Sequence, residues 1–338
     1  MRLTLTPYQL ELAHTFSISR ESHDFQDSLI VTLSHEGKSG YGEATANGYY
    51  QITSASMAKE IGLCKNQIEA HNFKTPELFY ELLSSLSLSN FSKCALDLAA
   101  WDLFGKINNT PLYKIWNTNL NNLATTNYTI GIDSVEKMVA KMIEKPWPIY
   151  KVKLGTSQDI DIVKALRAKT NAVFRIDANC AWEADETISN AQKLKDLGVE
   201  FIEQPLAADR WEDMKKVFDT SCLPLIADES CLIPEDVAKC VGHFHGINIK
   251  LTKCGGISPA LGMIKEAKAL GLKVMIGCMT ESSVGISAIG QLLPQLDYVD
   301  MDGALLLKKD IAKGIVIHED ASISYPDMGG SGIELLDL

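Results

Sequence analysis

A regular spacing of polar residues constrains the fold of this chain more than any other feature. From residue 127 onward, short apolar runs alternate with segments of helical pattern, and eight of the runs can be aligned on a residue at or near their end. Each interval accommodates one strand, one helix and two loops, which is the pattern of a parallel barrel. The separations are 24, 24, 26, 25, 22, 27 and 23 residues, for Thr129, Lys153, Asp177, Glu203, Asp228, Lys250, Gly277 and Asp300.

Two further parts flank the predicted barrel. Residues 1–120 begin with strand patterns, two of them joined across "HEGKSG" as in a hairpin, and continue with three helical patterns, which indicates an α+β capping or lid domain. The barrel is expected over 121–308, and 309–338 is expected to return to the capping domain. The predicted fold class is α/β, a (β/α)7β modified TIM barrel with an N-terminal α+β capping domain.

Composition excludes several classes of protein. The chain has 338 residues with 43 acidic against 32 basic side chains, a balance that argues against nucleic acid as a partner. The N-terminal stretch "MRLTLTPYQLEL" alternates like a strand, and we find neither a signal peptide nor an apolar run of 18 residues. The eight cysteines contain no Cys-x-x-Cys pair. We therefore expect a cytoplasmic protein without membrane partners. Barrels of this kind often associate as homo-oligomers, and no surface signature in the sequence specifies how.

Three carboxylates are expected to converge at the barrel mouth. Asp177, Glu203 and Asp228 follow consecutive strands, and unpaired anions cannot share a desolvated pocket. An oxygen-only set without histidine or cysteine favours Mg²⁺ over zinc. The alternative is pairing with arginine, but Arg175 lies two residues before Asp177 and hence deeper along the same strand.

Two lysines in "YKVKLG" share one strand face, because strand side chains alternate with period two. Burial of both ammonium groups lowers their pKa, which suits a lysine that exchanges protons near neutral pH. Lys153 lies four strands from Lys250, hence diametrically opposite in an eight-stranded ring. A carbon acid held between them could lose its proton to one lysine and regain it from the other, with inversion. Lys151 is then the stabiliser of the enediolate charge.

The set of motifs "YKVKLG", "RIDAN", "FIEQPL", "ADES", "NIKLTKCGG" and "ALDLAAWDLFGK" resembles the muconate-lactonizing subgroup of the enolase superfamily over nearly the whole chain. The resemblance implies the same roles for the three lysines and the three Mg²⁺ ligands. It also implies that Asn179 and Glu229 orient ligands and the base, although either could be a plain hydrogen-bonding residue at a strand end.

Strand eight discriminates among the reactions of this subgroup. Asp300 and Asp302 share one face and call for a cationic group on the substrate, such as a free α-ammonium. The Asp-x-Asp motif resembles that of dipeptide epimerases, so the expected substrate is a small dipeptide whose C-terminal α-carbon is inverted. N-Acylamino acid racemase and o-succinylbenzoate synthase remain alternatives, as does a solvated or capping role for the two aspartates.

Loops of the capping domain are expected to cover the other end of the dipeptide. Arg20, in "FSISRES", could pair with a glutamate side chain, which implies L-Ala-D/L-Glu, a fragment of cell wall peptide. The segment "ANGYYQI", Thr129 and Glu281 are expected to line the pocket, and Glu281 could instead balance Lys250. From a different class, a Schiff-base lyase would also use a lysine at a strand end, but it would not require three convergent carboxylates.

Overall fold

The computed structural model of the chain describes residues 1–17 and 22–336. Within these residues no helix is both long enough and apolar enough to span a lipid bilayer. The architecture is the predicted one, a ring of parallel strands with an N-terminal antiparallel sheet domain against it.

The N-terminal domain pairs a three-stranded antiparallel sheet with three helices. Strands β1 (Arg2–Ser17), β2 (Ser22–His35) and β3 (Lys38–Thr45) lie in chain order. The β2–β3 hairpin turns on Glu36 and Gly37, which both have positive φ (51° and 73°), as a two-residue turn requires. Helices α1 (Ser54–Ala70), α2 (Pro76–Ser85) and α3 (Asn90–Ile107) then cover one face of the sheet.

Each of these helices begins at a hydroxyl side chain that accepts a hydrogen bond from the first turn. Thr53, Thr75 and Ser89 cap α1, α2 and α3, respectively. Such caps fix where the helix starts because they satisfy backbone N–H groups that have no partner within the helix. Helix α3 is buried on nearly every side. It lies between the sheet and the barrel, and a short helix α4 (Leu112–Ile115) follows it.

The barrel contains eight parallel strands in sequential order. A parallel bridge between Thr126 and Val299 connects the first strand region to the last and closes the ring. The strands are β4 (Tyr128–Ile130), β5 (Ile149–Lys153), β6 (Val173–Asp177), β7 (Val199–Glu203), β8 (Leu225–Ala227), β9 (Gly246–Ile249), β10 (Lys273–Gly277) and β11 (Tyr298–Asp300), and the intervening helices are α5 (Val135–Glu144), α6 (Asp159–Arg167), α7 (Ala184–Asp196), α8 (Trp211–Thr220), α9 (Leu251–Cys254), α10 (Ile257–Ala269) and α11 (Ser283–Leu292).

Two intervals depart from the simple strand–helix alternation. The shortest, between β8 and β9, holds only two 3₁₀ turns (Pro234–Asp236 and Ala238–Cys240) in place of an α-helix. The longest follows β9 and holds two helices, α9 and α10. They are separated by Gly255 and Gly256, whose φ angles of 101° and 123° are in a region that L side chains avoid.

A buried carboxylate from the N-terminal domain anchors helix α10. Asp97, on α3, is fully buried and accepts hydrogen bonds from the Ser258 backbone N–H (2.8 Å) and hydroxyl (2.6 Å). A Cβ on Gly256 would lie 2.4 Å from the Asp97 carboxylate, so only glycine fits there. Burial raises the pKa of Asp97 to about 7, although the hydrogen bonds from Ser258 act to lower it.

The C-terminal residues form small hairpins and contact α3. Strand β12 (Ala312–Lys313) pairs with β15 (Glu334–Leu335), and β13 (Val316–Ile317) pairs with β14 (Ile323–Ser324). Asp102 of α3 accepts a hydrogen bond from the Ser331 N–H (2.8 Å). These contacts agree with the expected return to the capping domain, while the limits 1–120, 121–308 and 309–338 stay a prediction.

Candidate active site

Three buried carboxylates converge at the carboxyl end of the barrel strands. Asp177 and Glu203 are the last residues of β6 and β7, and Asp228 directly follows β8. All three side chains are buried, and one oxygen from each lies within 4.8 Å of the others. A set of three anionic oxygens from adjacent strands, brought this close, fits a hard divalent cation such as Mg²⁺.

The arginine alternative fails on geometry. Arg175 points into the barrel interior, where its Nε donates to Glu200 (2.8 Å) and its Nη1 to the Val299 carbonyl (3.1 Å). Its guanidinium lies 5.4 Å and 5.1 Å from the ring centroids of Phe201 and Tyr298. Arg175 therefore occupies the layer below the carboxylates, as its position along the strand predicts.

Lys151 lies at the centre of the charged cluster. Its Nζ is 2.7 Å from Glu203, 2.8 Å from Asp300 and 3.1 Å from Asp177. The side chain is only 1% exposed. An ammonium group held by carboxylates from three strands is in position to stabilise negative charge that develops beside it.

Lys153 and Lys250 contact the cluster from opposite sides. The Lys153 Nζ lies 2.7 Å from Asp177, and the Lys250 Nζ lies 3.0 Å from Asp228. Lys153 ends β5 and Lys250 directly follows β9, four strands away in the ring. Both side chains line one cavity of about 550 Å³ between the barrel mouth and the N-terminal domain. The structure thus brings the two lysines to facing walls of one pocket.

The electrostatics of the lysines differ from the expectation based on burial. Burial alone favours the neutral amine, but the carboxylates of Asp300 and Glu203 outweigh it and raise the pKa of Lys151 well above its usual range. The pKa of Lys250 is raised in the same way, against burial, by Asp228. The sequence analysis considered the two ammonium groups of one strand without the carboxylates that surround them, and the predicted lowering was wrong for Lys151.

The three carboxyl groups have different pKa values, because each has different charged neighbours within the same small volume. Burial, followed by the charge of Asp177, raises the pKa of Glu203 to about 7. Burial acts on Asp177 too, yet Lys153 and Lys151 lower the pKa of its carboxyl below the usual range. Asp228 is lowered likewise, since Lys250 and Lys253 outweigh the effect of burial on its pKa.

Lys253 is a member of this cluster that the sequence analysis missed. It lies on α9, one turn after Lys250, and its Nζ is 2.6 Å from Asp228. Its spacing of three residues from Lys250 was the available signal, because that spacing places both side chains on one side of a helical turn. Asn248 was missed as well, and it donates from Nδ2 to Glu203 (2.7 Å).

Asp300 and Asp302 form a second acidic group in the same cavity. Asp300 accepts hydrogen bonds from Lys151 (2.8 Å) and from the Asn127 side chain (2.7 Å). Asp302 is 2% exposed and accepts from the Thr129 backbone N–H (2.5 Å), which places Thr129 in the cavity wall beside it. Burial and the neighbouring charge of Asp300 raise the pKa of Asp302 to about 7. Two carboxylates this close favour a cationic ligand.

Asn179 and Glu229 also line the cavity. The backbone N–H of Asn179 donates a hydrogen bond to the Asp177 carboxylate (3.0 Å). Asn179 has a positive φ of 45°. Its side-chain oxygen Oδ1 is buried without a hydrogen-bond partner among the described residues, so it is available to a ligand. Gln204 supports the neighbouring strand end, where its side-chain oxygen accepts from the backbone N–H groups of Asp228 and Ser230.

Loops of the N-terminal domain cover the cavity. Ala46 to Tyr50, from the segment "ANGYYQI", contribute to the wall together with Phe16. Arg20 lies outside the described residues. Glu281 is buried next to the cavity wall, where its carboxylate accepts from the Met279 N–H (3.1 Å). Among the described residues no ion pair joins Glu281 to Lys250, and burial followed by the charge of Glu43 raises the pKa of Glu281 to about 8.

Comparison with known families gives matches over both parts of the chain. The model described as "Enolase C-terminal domain-like" matches residues 134–337, and "Mandelate racemase / muconate lactonizing enzyme, N-terminal domain" matches residues 2–116. An L-Ala-D/L-amino acid epimerase from a Maribacter species is 65% identical over 335 residues, covering 99% of each chain.

Solved structures agree with these matches. The substrate-liganded L-Ala-D/L-Glu epimerase from Bacillus subtilis has a TM-score of 0.94 at 28% identity, over 100% of this chain and 99% of that one. The dipeptide epimerase from Enterococcus faecalis, complexed with Mg and L-Leu-L-Tyr, has a TM-score of 0.92 at 31% identity, over 98% of each chain. The chain therefore belongs to the mandelate racemase / muconate lactonizing enzyme family of the enolase superfamily.

Proposed function

We propose that this protein is a magnesium-dependent dipeptide epimerase that inverts the α-carbon of the C-terminal residue. One observation carries the proposal: two lysines from opposite strands of the ring line one cavity together with a pair of carboxylates, and each lysine contacts a buried carboxylate triad. Two relatives, 65% and 58% identical to this chain, are each named L-Ala-D/L-amino acid epimerase. An N-terminal L-alanine followed by a variable residue is accordingly the proposed substrate class.

Asp177, Glu203 and Asp228 would hold Mg²⁺. A cation bound there would supply Lewis-acid chemistry, which would raise the acidity of a C–H bond next to a carboxylate and offset the charge of the triad. Lys151, which contacts two members of the triad and Asp300, orients these carboxylates and adds a fixed positive charge beside the substrate carboxylate.

Lys153 and Lys250 move the proton. One of them, as the neutral amine, accepts the α-proton on its face of the substrate, and the C–H electron pair delocalises into the carboxylate as an enediolate. The other, as the ammonium, donates a proton to the opposite face, so that the carbon is reprotonated with inverted configuration. The roles exchange for the opposite epimer, and each turnover leaves the pair with the same number of protons.

Asp302 and Asp300 bind the α-ammonium of the N-terminal residue. The two carboxylates lie on the β11 side of the cavity, and the charge of a free amine matches them where an N-acyl group or a succinyl carboxylate does not. That match favours a dipeptide over the substrates of N-acylamino acid racemases and o-succinylbenzoate synthases.

A dipeptide panel in deuterated water with Mg²⁺ tests the proposal. L-Ala-L-X peptides should gain one mass unit at the C-terminal residue and accumulate the L,D epimer, and EDTA should stop both changes. Label in N-acylamino acids but in no dipeptide would contradict the assignment. Covalent trapping of substrate by borohydride would instead indicate a Schiff base.

A further inference from the structure

A buried carboxylate on the N-terminal domain lies behind the substrate cavity. Glu43, on β3, has no exposed surface. Its carboxylate accepts hydrogen bonds from the Ser282 N–H (3.1 Å), the Ser282 hydroxyl (2.6 Å) and the Gly285 N–H (3.0 Å) at the start of helix α11 of the barrel. The Ser28 hydroxyl, from β2 of its own domain, donates the fourth (2.7 Å). A negative charge is favoured at this end of a helix, where backbone N–H groups point outward.

Glu43 joins two chain segments that form cavity walls. Its strand ends two residues later at Thr45, and Thr45 and the segment 46–50 that follows it line the cavity. On the barrel side Glu43 holds Ser282, the residue that ends the loop 278–282, and Cys278, Met279 and Thr280 of that loop line another part of the same cavity. Any displacement of α11 relative to β3 would therefore move both walls against each other.

The two walls also touch directly, through a weak contact between Asn47 and Met279. The Asn47 side-chain amide lies 3.9 Å from the Met279 sulfur, and Met279 packs against the hydrophobic core of the N-terminal domain. A thioether accepts hydrogen bonds weakly and adopts many rotamers. The hydrogen bonds to a fully buried carboxylate are stronger and more directional, so they dominate the alignment of the walls.

We propose that Glu43 is a positioning residue for the substrate cavity, which holds the segment 46–50 and the loop 278–282 in register across the domain boundary. The proposal rests on the proposed function only in its kinetic part. It assigns to Glu43 an effect on substrate binding and leaves proton transfer by Lys153 and Lys250 unchanged.

The two serines that donate to Glu43 provide a pair of variants, of which Ser282→Ala also removes the hydroxyl that accepts from the Val284 N–H at the start of α11. Ser282→Ala removes a hydroxyl donor that crosses the domain boundary, and Ser28→Ala removes one from within the N-terminal domain. Both side chains are fully buried, so both variants lose a buried hydrogen bond to the same carboxylate. Glu43→Gln removes the charge and turns an amide N–H₂ toward donors that need an acceptor.

Steady-state kinetics on an L-alanyl dipeptide should separate these variants. Ser282→Ala is expected to raise KM about threefold and Glu43→Gln about tenfold, with kcat changed less than threefold in each. Ser28→Ala should change neither constant more than twofold. Equal effects of the two serine variants, or a Glu43→Gln variant that loses kcat at unchanged KM, would overturn the proposal.

Hydrogen–deuterium exchange of the free protein tests the same idea without a substrate. Glu43→Gln and Ser282→Ala should speed exchange in peptides covering 46–52 and 278–285, whereas Ser28→Ala should not. Unchanged exchange in both peptides would refute the positioning role even if the enzyme epimerises dipeptides. Faster exchange would support it even if dipeptides proved not to be the substrate.

Discussion

Replacing Asp302 with asparagine should selectively weaken recognition of the substrate amine. The substitution keeps the shape of the side chain and removes one negative charge from the pair that faces the cavity. Asp300 already binds Lys151 at 2.8 Å and the Asn127 amide at 2.7 Å. The partners named for Asp302 are uncharged: one oxygen accepts from the Thr129 N–H, and the other lies 4.0 Å from the Cys278 sulfur. Asp302 is therefore the main anion available to the α-ammonium.

The size of the effect follows from burial. Asp302 is 2% exposed, so its interaction with a bound ammonium is little screened by water. Removing one partner of a buried charge pair costs about 2–5 kcal/mol, or roughly 30-fold to 4000-fold in kcat/KM. Because Asp300 remains and supplies part of the attraction, we expect the lower part of this range, a loss of about 100-fold.

A cycle that combines one change in the protein with one change in the substrate provides the assay. The kcat/KM of wild type and of Asp302→Asn is measured by deuterium wash-in for L-Ala-L-X and for its N-acetyl analogue, which lacks the positive charge. The substitution should cost about 100-fold on the free amine and less than threefold on the acetylated peptide. Equal losses on both substrates would refute the reasoning, since they would mean that Asp302 acts through the strand it contacts at Thr129 rather than through the ammonium.

Three other predictions concern the metal and the domain contacts. Mg²⁺ should raise the melting temperature of the metal-free protein in a concentration-dependent way, and Asp177→Asn should abolish the shift; an equal shift in the variant would contradict the ligand assignment. Since burial raises the pKa of Asp97 to about 7, above the value of about 4 in an unfolded chain, its contribution to stability is present at low pH and lost as pH rises through 7. In urea unfolding, wild type should therefore lose about 1–3 kcal/mol relative to Asp97→Asn between pH 5 and 8, whereas a constant difference would rule out this titration. Gly256→Ala should destabilise the protein by more than about 2 kcal/mol because its Cβ would meet Asp97, while Gly262→Ala, in an open position of α10, should stabilise it by about 0.5–1 kcal/mol; similar effects would refute the packing argument.

The position of the reacting groups followed from the sequence because two periodicities act together. The repeat of about 25 residues fixes which side chains reach the carboxyl end of the barrel, and the period of two within a strand assigns Lys151 and Lys153 to one face. Both rules are local, so they required no knowledge of how neighbouring strands pack.

Contacts that depend on ring closure and domain docking could not be found in this way. Asp300 binds Lys151 because the ring closes and brings the last barrel strand beside the first two. The alignment of these strands with one another cannot be derived from the sequence of any one of them. Glu43 appeared only as one acidic residue in a strand, yet it meets a helix that begins 240 residues later. The charges around Lys151 come from several strands at once, which explains why the expected direction of its pKa shift was wrong.

The central claim is that Lys153 and Lys250 act on opposite faces of one α-carbon. Its most direct test is α-proton exchange in deuterated water for Lys153→Ala and Lys250→Ala, each with the L,L and the L,D epimer. Each variant should fail to invert the substrate but should exchange the α-proton of a single epimer, and the two variants should select opposite epimers. Exchange of the same epimer by both variants, or inversion retained in either one, would contradict the account.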